Sequence, residues 1–123
     1  MLRIKDGVDF GSALSPAGAR ILDVLKRLAP TYDFDITITS ARDGVHSGPD
    51  DPHHSGEAFD VRSQGLTALQ IAALLHDVQV GLYNSTPRRF YAFYEAAGTT
   101  NAHLHIQRRA GTIYTVRDYL QNL

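Results

Sequence analysis

Two short alternating stretches constrain this chain more than anything else in it. Ala58-Phe59-Asp60-Val61-Arg62 and His103-Leu104-His105-Ile106-Gln107 place polar and apolar side chains by turns. In a β-strand, residues two apart share a face. Ala58, Asp60 and Arg62 therefore point one way, while Phe59 and Val61 point to the core. His103 and His105 share a face, with Leu104 and Ile106 opposite. Pairing the two strands as neighbours brings Asp60 within reach of the histidines. An aspartate inside an alternating strand is unfavourable unless it has a partner. His53 and His54 stand just upstream, and Gly56 allows a tight turn that folds one of them back over the same face.

Two imidazoles and a carboxylate are three of the four ligands of a catalytic zinc, with one position left for water. A zinc so held lowers the pKa of its water toward ~7 and polarises a carbonyl oxygen. Glu95 ends an aromatic strand, residues 89–94, just before the loop that returns to His103. If those strands pair, its carboxylate lies beside His103 at the hairpin mouth, placed for general acid–base work. Spacing alone leaves His53 and His54 as alternatives, and His103 and His105 likewise.

The flanking segments read as helices and loops. Residues 1–14 have no period and form an irregular lead-in. Ser15-Pro16 is a helix-start signal, and Ile21, Leu22, Leu25 and Leu28 follow at helical spacing, with Arg20, Lys26 and Arg27 off that stripe. Pro30 stops the helix, and residues 33–39 alternate as a strand. Residues 40–57 are a long polar stretch rich in Gly, Pro and Asp, of the kind that is usually functional. Thr67 to Gln70 fits a capping box, and Leu69, Ala72, Leu75 and Leu82 continue a helical stripe to about Gly81. Residues 115–120 form a last short helix. Tyr91, Phe93 and Tyr94 read as sheet packing. Arg88-Arg89 and Arg108-Arg109 read as solvated charges at strand ends. The order fits a single α+β domain over residues 1–123, a small antiparallel sheet with helices packed on one face.

Composition excludes several classes. At 123 residues there is room for one modest core. The formal net charge of −1 gives no bulk attraction to nucleic acid or anionic membrane. The absence of cysteine removes disulfides, thiolate ligands and a cysteine nucleophile. No apolar run approaches a membrane span. The first residues lack the apolar core of a signal peptide, which points to cytoplasmic synthesis, with retention inside the cell or exit by a route that needs no signal of its own.

The pattern His53-x-x-Gly56-x-Ala58-x-Asp60, followed by His103-x-His105, resembles the zinc D-Ala-D-Ala carboxypeptidases and L-alanyl-D-glutamate endopeptidases, and with them the hedgehog signalling domain. The resemblance covers residues 16–107. It implies a hedgehog/DD-peptidase-like fold with zinc on His53, Asp60 and His105, and so chooses His53 over His54 and His105 over His103. It implies Glu95 as the catalytic base, with His103 assisting, although Glu95 stands ten residues before His105, a longer interval than in the family. Thr39-Ser40-Ala41-Arg42 takes the place of the family's substrate-binding segment, making Arg42 the carboxylate clamp and Ser40 its neighbour. The implied activity is hydrolysis of a peptide bond in the peptidoglycan stem, with zinc-bound water as nucleophile. The expected partners are stem peptides or D-amino-acid peptides, met by a monomer without nucleic acid or membrane insertion. The alternative is a non-catalytic, zinc-containing binding module of the hedgehog type.

Overall fold

Ser15 sets the first helix. Its hydroxyl oxygen accepts the Gly18 amide at 3.0 Å, and Pro16 occupies the first helical position of α1, Pro16–Leu28. A short 3-10 turn, Ala29–Thr31, follows at Pro30. The computed structural model describes residues 1–42, 56–85, 89–96 and 98–122. The remaining elements are strands β1 (Leu2–Ile4), β2 (Ile36–Ser40), β3 (Ala58–Arg62), β4 (Phe90–Glu95) and β5 (His103–Arg108), with helices α2 (Ala68–Ser85) and α3 (Val116–Gln121). Capping boxes open both later helices. Thr67 and Gln70 exchange hydrogen bonds of 2.9 and 3.1 Å, and Thr115 and Asp118 do the same.

The strands form one sheet in the order β1-β2-β3-β5-β4. The pairs β2–β3, β3–β5 and β5–β4 are antiparallel, but β1 runs parallel to β2. The sheet is therefore mixed, not wholly antiparallel, and part of the expected irregular lead-in is a strand. Parallel neighbours need a crossover connection, which α1 supplies. A three-residue strand is too short to show a period, so only its pairing defines it.

Alternation sorts the sheet into two faces. Ile36, Ile38, Phe59, Val61, Phe90, Ala92, Leu104 and Ile106 are buried with Ile21, Val24 and Leu25 of α1 and Leu74, Val78 and Leu82 of α2. Each of the valine, leucine, isoleucine and phenylalanine side chains among them contributes about 1.5–3 kcal/mol on burial. Helices α1 and α2 thus share one face of the sheet, and α3 packs on α1. The buried stripe of α2 is the i, i+4, i+8 row from Leu74, whereas Leu69 is solvent-exposed in the first turn. Arg20, expected off the apolar stripe, is buried and reaches the carbonyls of Gly81 and Asn122 at 3.5 Å each. Among the described residues no helix is long and apolar enough to cross a membrane.

The start of β3 is tied to the start of α1. Gly56 turns with φ +73°, and its carbonyl accepts the Ser15 hydroxyl at 3.1 Å. A Cβ on Gly18 would collide with that same carbonyl oxygen. This junction holds the strand that carries Asp60.

Candidate metal centre

The face of the sheet away from α1 and α2 carries the polar residues of the alternating strands. With β5 between β3 and β4, the register sets Asp60 beside His105 and Arg62 beside His103. On the other side it sets Phe93 beside His105 and Glu95 beside His103. Asp60, Glu95, His103 and His105 consequently converge, each offering a ligand atom within 4.8 Å of the others.

The distances within the group suit a shared cation. Asp60 Oδ1 lies 3.0 Å from His105 Nδ1 and 3.4 Å from His103 Nε2. Glu95 Oε2 lies 2.9 Å from His103 Nε2 and 3.7 Å from His105 Nδ1. Ligands ~2.1 Å from a tetrahedral zinc stand about 3.4 Å from one another, close to these separations. Asp60 and His105 are sheltered, with side-chain exposures of 14% and 9%, whereas Glu95 is 47% exposed at the rim.

Both imidazoles are held from behind. His103 Nδ1 meets the Asn101 carbonyl oxygen at 2.6 Å. A carbonyl only accepts, so the proton sits on Nδ1 and Nε2 is turned to the carboxylates. His105 Nε2 lies 2.7 Å from Gln107 Oε1, and the Gln107 amide donates to the Arg108 carbonyl at 3.0 Å. That orientation makes the Gln107 oxygen the acceptor for His105 Nε2–H and leaves Nδ1 facing Asp60. Partners of this kind fix the tautomer and aim of metal-binding histidines. Burial lowers the His105 pKa, but hydrogen bonds to Asp60 and Gln107, with the charges of Asp60 and Glu95, outweigh it and hold the pKa above its ordinary value. The donor set of two imidazole nitrogens and two carboxylates, with both rings pre-aimed, fits a divalent metal ion.

Some expected site residues lie elsewhere. His53, with His54 and His46, falls outside the described residues. Ser40 pairs with Asp60 in the β2–β3 register. Arg42 follows β2, with its amide donating to the Asp9 carbonyl at 2.7 Å. Its side chain lies against Gly11 and Gly56. Gln107 carries no motif of its own, although its position two residues after His105 puts it on the same face. Phe93 is not packed in the core: it is 37% exposed on the metal-site face, its ring 5.1 Å from that of His105. Nor are the strand-end arginines all solvated charges. Arg108 pairs with Glu57, Arg89 with Asp118 at 2.6 Å, and Arg109 lies over the Tyr91 ring.

A polar cleft of about 250 Å³ adjoins the group. Asp60 and His103 form part of its wall, with Lys5, Thr39, Arg62 and Asn101 among the rest. Set against family models, characterised proteins and solved structures, the chain matches none of them.

Proposed function

We propose that this chain is a zinc peptidase with a hedgehog/DD-peptidase-like fold that hydrolyses a peptide bond in the peptidoglycan stem peptide. The observation that carries the reading is the convergence of Asp60, Glu95, His103 and His105 from three adjacent strands, with both histidines oriented from behind. Asp60 and His105, the sheltered pair, would hold the ion with His53. When bound, zinc supplies a Lewis acid and lowers the pKa of water. Glu95, at the exposed rim, takes the proton from the attacking water and passes it to the leaving amine. His103 Nε2 lies 2.9 Å from the Glu95 carboxylate, and a second ring proton on that nitrogen would donate to Glu95 and hold it in the site.

One observation favours a second reading, the non-catalytic zinc module. Glu95 and His103 stand as close to Asp60 and His105 as ligands would. A site with all four positions filled by protein is closed, as structural zinc sites are. Incubating the zinc-loaded protein with defined stem peptides and identifying products by mass spectrometry separates the two. New termini at one peptide bond support the peptidase. A tightly held zinc with every peptide intact supports the module.

A further inference from the structure

We propose that Lys5 and Arg62 form a carboxylate-binding subsite beside the metal centre, which makes acidic peptides the substrates. This rests on the peptidase reading, because it places a substrate group next to the reacting bond. The cleft that these two cations line is shared with Asp60 and His103, so a group bound there lies directly against the cluster. Arg62 is two residues beyond Asp60 on the same strand face and is the register partner of His103. Lys5 follows β1 and is anchored by its amide, which donates to the Ile38 carbonyl at 2.9 Å.

Among the described residues several cations lack a carboxylate partner, and Lys5 and Arg62 are the two that line this cleft. Arg3 is bound to Asp35, Arg89 to Asp118 and Arg108 to Glu57. Among the described residues no carboxylate forms an ion pair with Lys5 or Arg62. Asp60 does share the cleft, but its Oδ1 is turned to His105 and His103, at 3.0 and 3.4 Å. Thr39, Gln64 and Asn101 add neutral hydrogen-bonding groups to the wall. A guanidinium offers a planar fork to a carboxylate, and an ammonium adds a point charge. The volume of about 250 Å³ is below the roughly 300–1,000 Å³ of a pocket for a whole small molecule, and suits one acidic residue of a longer peptide.

The location also distinguishes this pair from Arg42. Arg42 packs by Gly56, before Asp60 on the chain, and does not line the cleft. Arg62 lies beyond Asp60, on the side of His103.

Two pairs of probes test the subsite by calorimetric binding to zinc-loaded protein. Acetyl-D-alanyl-D-alanine against its carboxamide reports a main-chain carboxylate. Acetyl-alanyl-glutamate amide against acetyl-alanyl-glutamine amide reports a side-chain carboxylate. One acid is expected to bind about tenfold tighter than its neutral twin, as two exposed charge contacts would give. Lys5→Ala/Arg62→Ala and Lys5→Gln/Arg62→Gln should abolish that preference while leaving the melting temperature unchanged. Equal binding of acid and neutral probe in both pairs overturns the proposal. So does a preference that survives both double variants and disappears in Arg42→Ala. A preference lost as expected, in a protein that cleaves no peptide, upholds the subsite and rejects the peptidase.

Discussion

Replacing Glu95 by Gln removes a charge from the rim of the metal centre with almost no change in shape. Glu95 touches His103 at 2.9 Å and is 47% exposed, whereas Asp60 and His105 are sheltered at 14% and 9%. A part-exposed polar contact at a strand end is worth about 0–1 kcal/mol, so the variant should fold with nearly unchanged stability in urea. If Glu95 is the base, its loss should lower kcat about 100- to 10,000-fold, the usual worth of a positioned proton acceptor. Zinc affinity should then change less than about tenfold, since the sheltered ligands remain. The assays are hydrolysis of a stem peptide and zinc competition against a chromogenic chelator. A Glu95→Gln protein that cleaves at the unaltered rate refutes the base assignment. One that releases its zinc refutes the division between ligands and base, and moves the chain to the closed, non-catalytic site.

Three further outcomes follow from the same geometry. Gln107→Ala should weaken zinc binding about 10- to 100-fold by releasing the His105 ring, measured by chelator competition, with Gln107→Glu restoring most of it. The raised His105 pKa gives the zinc-free protein stability that is complete below the ordinary value of 6.5 and is lost as pH rises through the folded value. Zinc must displace that proton, so its affinity should run the other way and climb with pH; urea unfolding and zinc titrations at several pH values check both signs. Gly18→Ala should destabilise by about 1–3 kcal/mol because its Cβ meets the Gly56 carbonyl oxygen, read as a lowered urea midpoint with the slope unchanged.

Much of the scaffold is legible without coordinates because it is local. Ser15-Pro16, the Thr67–Gln70 box and the Ala58–Arg62 alternation act over a few residues, and each element begins where those residues place it. The exclusion of thiolate chemistry is likewise a property of composition alone. Apolar stripes were harder. Leu69 fits a helical period and is exposed, and Arg20 breaks one and is buried, because which row of a helix faces the sheet is decided by packing.

Of the metal centre, strand alternation was enough to aim Asp60, His103 and His105 at one face and to bring Glu95 beside His103 once β4 and β5 pair. It leaves both pairings of β5 as conditions, and only the structure shows β5 running between β3 and β4, the placement that makes four residues converge. It also could not show that Gln107 orients His105, or that Lys5 shares a cleft with Arg62. Lys5 and Arg62 are far apart in the chain and neither carries a local signal. Their proximity comes from a parallel β1 joining the edge of the sheet, a contact across sequence distance that no periodicity encodes. The sequence by itself thus determined which side chains share a strand face, since that follows from backbone geometry one residue at a time. Only the tertiary structure decided which faces meet, because strand order depends on how the whole apolar surface is buried at once.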